Sequence, residues 1–330
     1  MESMKRYGLI GRDIRRSGSP ELFREAYGGK WPYDLLEGDE FEPLWRKFLQ
    51  EYDGVNITAP FKEAAFGQIL ALAKDGLGTI SGPAFRCGAV NIAVKAKDGK
   101  IAGENSDFQA VILCIAEAVF PGITTEFIET FGPQDAVKKV HQFFLAKGRE
   151  KLLRTRESTL DSVESAEKNE ASKTTEKSYG NIKALVIGCG GAGKAAAVAA
   201  AELGCTVTLA NRTIERAASF ALDVPQYRMA VCPPALLRHA AAEADIIIYT
   251  ASGPLESISS LTEEDFKSAP DRPDKIILEA NYFKPVFEGA LLEEALKVGA
   301  TYICGQQWLR AQAVAGYPVL TGEKPNLTIG

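Results

Sequence analysis

Two hydrophobic periods alternate along most of this chain. Short unbroken apolar runs, rich in β-branched residues, read as buried strands. Longer segments with apolar residues three and four apart read as helices packed on them. In the first part, strands are expected at 7–10, 33–36, 54–58, 89–95 and 101–104, and helices at 20–26, 41–51, 61–73 and 107–119. Asp98-Gly99 between the last two strands is a hairpin turn signal. After residue 180 the alternation resumes. Strands are expected at 183–188, 205–210, 229–231, 245–250, 275–279 and 301–304, with helices at 191–203, 214–222, 233–243, 287–298 and 306–315. Regular strand–helix alternation predicts an α/β protein whose second half is a doubly wound parallel sheet.

The pattern lapses between about 120 and 180. Residues 124–148 place Phe127, Phe131, Val137, Val140, Phe143 and Phe144 at helical spacing, enough for one or two helices. Residues 149–178 are rich in charge and poor in apolar side chains, so they cannot order themselves by burial. This predicts three parts: a domain over 1–119, an inserted and partly disordered segment over 120–180, and a second domain over 181–304. The last helix, within 305–330, is expected to pack back on the first domain. The insert reads as a peripheral addition, so deleting 125–178 is expected to leave function intact.

Composition narrows the picture. The 330 residues suffice for two cores. A net charge of −5 argues against a nucleic-acid partner. There is no run of 18 apolar residues to span a membrane. There is no secretory signal pattern, and the six cysteines include no close pair. Reduced thiols in a cytoplasmic protein are expected. With only two histidines, His141 and His239, neither a metal site nor a histidine-dependent dehydrogenase is expected.

The candidate chemistry starts at 183–201. An apolar strand runs into Gly188-Cys189-Gly190-Gly191-Ala192-Gly193 and then into an alanine-rich helix. That order makes the glycines a dinucleotide-binding turn, whose pyrophosphate would sit on the free N–H groups of the helix start. The next strand ends in Asn211-Arg212-Thr213, about 20 residues on, with an arginine where NAD-binding chains place an acid. A guanidinium suits a 2′-phosphate, so NADP is expected, with Arg216 one turn further as a second contact.

Four polar clusters follow strands in the first half. They are Ser17-Gly18-Ser19-Pro20, 56–63 (Asn-Ile-Thr-Ala-Pro-Phe-Lys-Glu), Gly88-Ala89-Val90-Asn91 and 103–107 (Gly-Glu-Asn-Ser-Asp). At these residues, and at Tyr7 to Gly11, Gly188 to Ala192, Asn211 to Thr213, Gly305 and Gln312, the chain resembles the shikimate dehydrogenase family over about 7–119 and 181–322. The resemblance implies an N-terminal α/β substrate domain, a Rossmann-type NADP-binding domain and a cleft between them. It also implies reversible NADPH-dependent reduction of 3-dehydroshikimate to shikimate, on the route to chorismate and aromatic amino acids. Lys62 and Asp107 match the catalytic pair; Ser17, Ser19, Thr58, Asn91 and Gln312 match substrate-binding positions. Gly188, Gly190, Gly191, Ala192, Asn211, Arg212, Thr213, Arg216 and Gly305 match the cofactor side. The partners implied are small molecules, with the chain a monomer or homodimer.

Taken singly, the same residues have ordinary roles. Lys62 reads as a solvated helix-start lysine, Asp107 and Ser19 as helix caps, Thr58 as a turn residue and Gln312 as a surface position. The chain also departs from the family pattern. Arg16, Gly18 and Ile92 are unusual, and Tyr249-Thr250-Ala251 replaces the usual residues after the fourth strand of the second half. Glu279-Ala280-Asn281-Tyr282 lacks the family's aspartate. Two other readings follow: a quinate/shikimate dehydrogenase using NAD, and a dinucleotide-binding regulatory homologue without turnover.

Overall fold

The computed structural model describes residues 4–148, 151–152, 182–269 and 272–329. The chain builds two six-stranded sheets. In the first, β1 (Tyr7–Gly11), β2 (Tyr33–Glu37), β3 (Gly54–Ile57), β4 (Gly78–Ile80), β5 (Ile92–Lys95) and β6 (Ile101–Glu104) lie in the order β2-β1-β3-β5-β6-β4. β1 runs parallel to β2 and β3, while β5 is antiparallel to both β3 and β6. The β5–β6 pair is the hairpin announced by Asp98-Gly99, and Gly99 takes the left-handed conformation at φ 83° that this turn needs.

The helices of this half are α1 (Ser19–Tyr27), α2 (Phe41–Glu51), α3 (Lys62–Lys74), α4 (Gly82–Cys87) and α5 (Ser106–Val119). Strand β4 and helix α4 were not anticipated. Both are short, and glycines at 78, 82 and 88 with Pro83 mask any period. The expected strand at 89–95 begins its pairing only at Ile92, leaving 89–91 as a loop.

The second sheet comprises β7 (Lys183–Ile187), β8 (Thr206–Ala210), β9 (Ala230–Cys232), β10 (Ile246–Tyr249), β11 (Ile276–Glu279) and β12 (Thr301–Ile303). Its order is β12-β11-β10-β7-β8-β9, and every pair is parallel. That is the Rossmann order, with the topological switch between β7 and β10. β10 and β11 are wholly buried, which is why their apolar runs are unbroken.

The second half also carries α8 (Gly191–Glu202), α9 (Ile214–Asp223), α10 (Leu237–Glu243) and α11 (Gly289–Lys297); α12 (Gly305–Thr321) closes the chain's helical part. Between the two halves lie α6 (Ile123–Phe131) and α7 (Pro133–Phe143). Residues 149–150 and 153–178 of the charged stretch lie outside the described residues.

Helix α5 is the spine between the halves. Eleven of its residues are buried, and it packs on α8, α7 and α12. On α8, Ala195 to Ala200 are buried without a break, and their small side chains let the helix sit close to its neighbours. One apolar cluster therefore runs from Tyr7 and Phe23 through α5 to Val186 and Ala197, and takes in Trp308 and Tyr317 of α12. Ile128, Ala136, Val140 and Phe144 belong to the same cluster. The expectation that the segment after 120 is peripheral is therefore corrected for its helical part. Removing 125–148 would strip one flank of the shared core.

Helix α12 runs past the expected end at Ala315 to Thr321, with Pro318 inside it. Pro318 suggests a stop, but Tyr317, Leu320 and Thr321 are buried against the first domain, and that burial carries the helix on.

Candidate active site

A cleft of about 770 Å³ separates the two sheets and is walled by residues from both. Its floor on the first domain is the start of α3 and α5. Lys62 begins α3, and its Nζ lies 2.5 Å from Asp107 Oδ2. Asp107 has no exposed side-chain surface and Lys62 only 12 %, so the pair is shielded from solvent. The other Asp107 oxygen accepts from Gln312 Nε2 on α12. A buried carboxylate held at both oxygens is the arrangement that burial of a charge requires.

The expected capping roles are overturned here. Helix α5 is capped by Asn105, whose Oδ1 accepts from the Phe108 N–H at 3.1 Å while its Nδ2 donates to the Ala89 carbonyl. With that cap in place, Asp107 is released to the first turn of the helix. Ser19 does not cap α1 either: Gly18 takes the N-cap position without a side-chain bond. Instead the Ser19 N–H donates to Ser17 Oγ at 3.2 Å, and the two hydroxyls lie 3.1 Å apart. The Gly18 N–H points to the Tyr282 hydroxyl across the cleft at 3.4 Å. Nor are Lys62 and Gln312 surface residues, since each is tied to the buried Asp107.

Asn91 and Thr58 also line the cleft. Asn91 is locked in place by Ser106, donating to its hydroxyl at 3.0 Å and accepting from its N–H at 2.8 Å. Thr58 follows β3, beside Asn56, whose side-chain oxygen accepts from Tyr33 at 2.8 Å. Burial raises the Tyr33 and Tyr317 phenols, so both stay neutral hydrogen-bonding groups near this wall.

The opposite wall is the turn after β7. Gly188 has φ 104°, and a Cβ on it would lie 2.5 Å from Thr250 Oγ1. A Cβ at Gly193 would lie 2.0 Å from the Gly188 carbonyl oxygen, so helix and turn meet there as only glycine permits. A Cβ at Gly190, by contrast, would meet nothing within 4 Å. The space beside Gly190, next to the free N–H groups that open α8, fits a pyrophosphate lying against backbone.

Asn211 braces this turn by accepting from the Cys189 N–H at 3.0 Å and donating to the Thr213 carbonyl. Thr250 braces it from β10, donating to the Ile187 carbonyl at 3.0 Å. The departure at 249–251 thus keeps a contact to the glycine turn. Arg212, Thr213 and Arg216 stand at the edge of the same cleft. Arg212 is exposed and in no ion pair among the described residues. The tip of β8 therefore presents arginine and no acid, a donor set that suits a nucleotide with an additional phosphate.

Gly305 opens α12 where a Cβ would lie 2.6 Å from the Asn281 carbonyl oxygen. Asn281 in turn donates to the Ala251 carbonyl. Glu279 is buried and accepts from the N–H groups of Val286 and Phe287, clamping the loop that presents Tyr282. None of the six cysteines is in a disulfide, and burial pushes the Cys189 thiol in the glycine turn up to about 11.

Sequence reasoning missed Glu63, Tyr282 and Trp308, which also line the cleft, and Lys194, which stands behind Glu63 at 3.0 Å. Glu63 lies within a quoted motif, but its partners Lys194 and Arg216 are remote in sequence.

Two family models match. The shikimate dehydrogenase substrate binding domain covers residues 9–93, and shikimate / quinate 5-dehydrogenase covers 169–278. The shikimate dehydrogenase (NADP(+)) of Halobacterium salinarum is 34% identical over 323 residues, spanning 96% of this chain and 93% of that one. That of Acinetobacter baumannii is 25% identical, with 98% of each chain covered. Among solved structures, shikimate 5-dehydrogenase from Thermus thermophilus in complex with NADP(H) and shikimate superposes with TM-score 0.61 at 22% identity, covering 98% of this chain and 95% of that one. Quinate dehydrogenase from Corynebacterium glutamicum in complex with NAD gives TM-score 0.65 at 19% identity, with the same coverage.

Proposed function

The chain belongs to the shikimate dehydrogenase family, and from that premise we propose that it reversibly reduces 3-dehydroshikimate to shikimate with NADPH, as a step toward aromatic amino acids. The observation that carries this reading is the Lys62–Asp107–Gln312 contact, buried and placed opposite a nucleotide-binding turn in one cleft.

Reducing a ketone requires a hydride at carbon and a proton at oxygen. The nicotinamide, when bound, supplies or receives the hydride. Lys62 Nζ gives the proton to the substrate oxygen in the reducing direction and takes it back in the other. Asp107 holds that ammonium in place, and Gln312 holds Asp107. The hydroxyls of Ser17 and Ser19 receive the substrate carboxylate, and Thr58, Asn91 and Gln312 address its ring hydroxyls. A polyol acid is recognised by such convergent neutral donors and acceptors. On the other wall, the backbone of Gly188, Gly190, Gly191 and Ala192 carries the pyrophosphate. Asn211, Arg212, Thr213 and Arg216 form the 2′-phosphate corner, and Gly305 lets α12 approach. Water is kept from the acid–base pair by its burial.

No helix among the described residues is long and apolar enough to cross a membrane. The reading is completed by a cytoplasmic location, which six cysteines outside any disulfide support, and by a monomeric or homodimeric state.

The test is a rate assay. Purified protein is mixed with shikimate or quinate and with NADP⁺ or NAD⁺, and formation of reduced cofactor is followed. Shikimate with NADP⁺ should be the fastest pair by at least about tenfold, since a lost 2′-phosphate contact to arginine removes a charge-assisted bond. A fastest rate with NAD⁺ would transfer the chain to the quinate/shikimate type.

A further inference from the structure

Helix α3 begins with two charged residues that face different domains. Lys62 turns to Asp107 in its own domain. Glu63, the next residue and about 100° around the helix, turns to the nucleotide domain. Its Oε2 lies 3.0 Å from Lys194 Nζ on the first turn of α8, and its Oε1 accepts from Arg216 on α9. Each carboxylate oxygen thus holds a separate cation of the other domain. Among the described residues, no other acid is paired with Lys194 or Arg216. The approach is also close at Lys62: a Cβ on Gly191 would lie 2.8 Å from the Lys62 Cβ.

We propose that Glu63 is a specificity-determining residue: its carboxylate competes with the cofactor's phosphate for Lys194 and Arg216. This rests on the reading that Arg216 belongs to the 2′-phosphate corner. A phosphate and a carboxylate are bound by the same charge-assisted donors, and both cannot saturate one arginine and one lysine at once. A 2′-phosphate that wins Arg216 must part it from Glu63. The displaced carboxylate then stands near a second anion and repels it. Glu63 therefore weakens binding of the phosphorylated nucleotide, and does so through the helix that positions Lys62. Lys194 is only 14 % exposed and Glu63 38 %, so the competition takes place in partly desolvated surroundings.

Equilibrium binding by calorimetry at low salt separates this role from a structural one. The probes are 2′,5′-ADP, which carries the 2′-phosphate, and adenosine, which carries none; the proteins are the full chain and its Glu63→Gln variant. The variant should bind 2′,5′-ADP about 5- to 20-fold more tightly, the range expected when two partly exposed ion pairs no longer have to be broken. Adenosine affinity should change less than about twofold, and the gain should shrink at high salt. Equal 2′,5′-ADP affinity in both proteins, weaker binding in the variant, or an equal gain for adenosine overturns the proposal while leaving the NADP assignment intact. Failure of both proteins to bind 2′,5′-ADP overturns that assignment and the proposal with it.

Discussion

Asp107 has no surface of its own, and both its oxygens are occupied, one by Lys62 and one by Gln312. Three residues from three helices meet there because Asn105 has taken over the capping task. In sequence, Asn105 and Asp107 are equally good helix-cap types, so which of them caps could not be read from composition alone. The same limit hid Glu63, because an ion pair is legible only when its partner is a helical turn away. The places of the glycines and Arg212 were legible, since both follow from local backbone and strand-tip position. A different residue supplies a test of the stability account. Lys275 is buried at the start of β11, where its ammonium donates to the carbonyls of Ala241, Ala242 and Ala244 at the end of α10. Burial lowers this lysine from 10.5 to about 8. Between those values the unfolded chain holds a proton that the folded chain has released, so this residue makes the fold more stable as pH rises through the window. Urea midpoints of wild type and Lys275→Met at about pH 7 and about pH 9.5 should differ more in favour of wild type at the higher pH. A pH-independent difference would reject the assigned titration.

At the scale of elements, strongly periodic segments appeared where the pattern put them. α2 matches its expected bounds, and the six parallel strands of the second sheet fall within a residue or two. Failures came where tertiary contacts outweigh local preference. β4 has three residues and is defined by its pairing with β6, and α12 continues through Pro318 because both sides of that turn are buried. α6 and α7 were anticipated as helices, yet their place in the core was not, since amphipathic spacing gives a helix's apolar face and not its partner. Among the described glycines, Gly193 in the turn from β7 to α8 has the least room for a side chain. Gly193→Ala puts a methyl group 2.0 Å from the Gly188 carbonyl oxygen, a distance no side-chain adjustment relieves. The variant should lose about 1–3 kcal/mol of stability and most of its nucleotide affinity. Thermal unfolding with and without NADP⁺ reads both, and a wild-type melting temperature with a wild-type ligand shift would contradict the packing assigned to that turn.

Taken whole, the molecule is two sheets joined through α5, α8 and α12, with one apolar core passing under the cleft. The first domain brings the Lys62–Asp107 pair to this cleft, and the second brings the glycine turn. The proposed reaction needs both walls. On that reading the glycine turn takes the dinucleotide, and the Lys62 wall handles the proton. That division was visible in the order of motifs, whereas the closeness of the two walls at Lys62, Glu63 and Gly191 required the folded chain. The central claim is that Lys62 moves the proton in this reaction. Its most direct test is steady-state oxidation of shikimate by NADP⁺ in wild type and Lys62→Ala. The variant should lose about 10²- to 10⁴-fold in kcat, the usual worth of a positioned acid–base group, with KM for shikimate changed only a few-fold. A kcat close to that of wild type would contradict it.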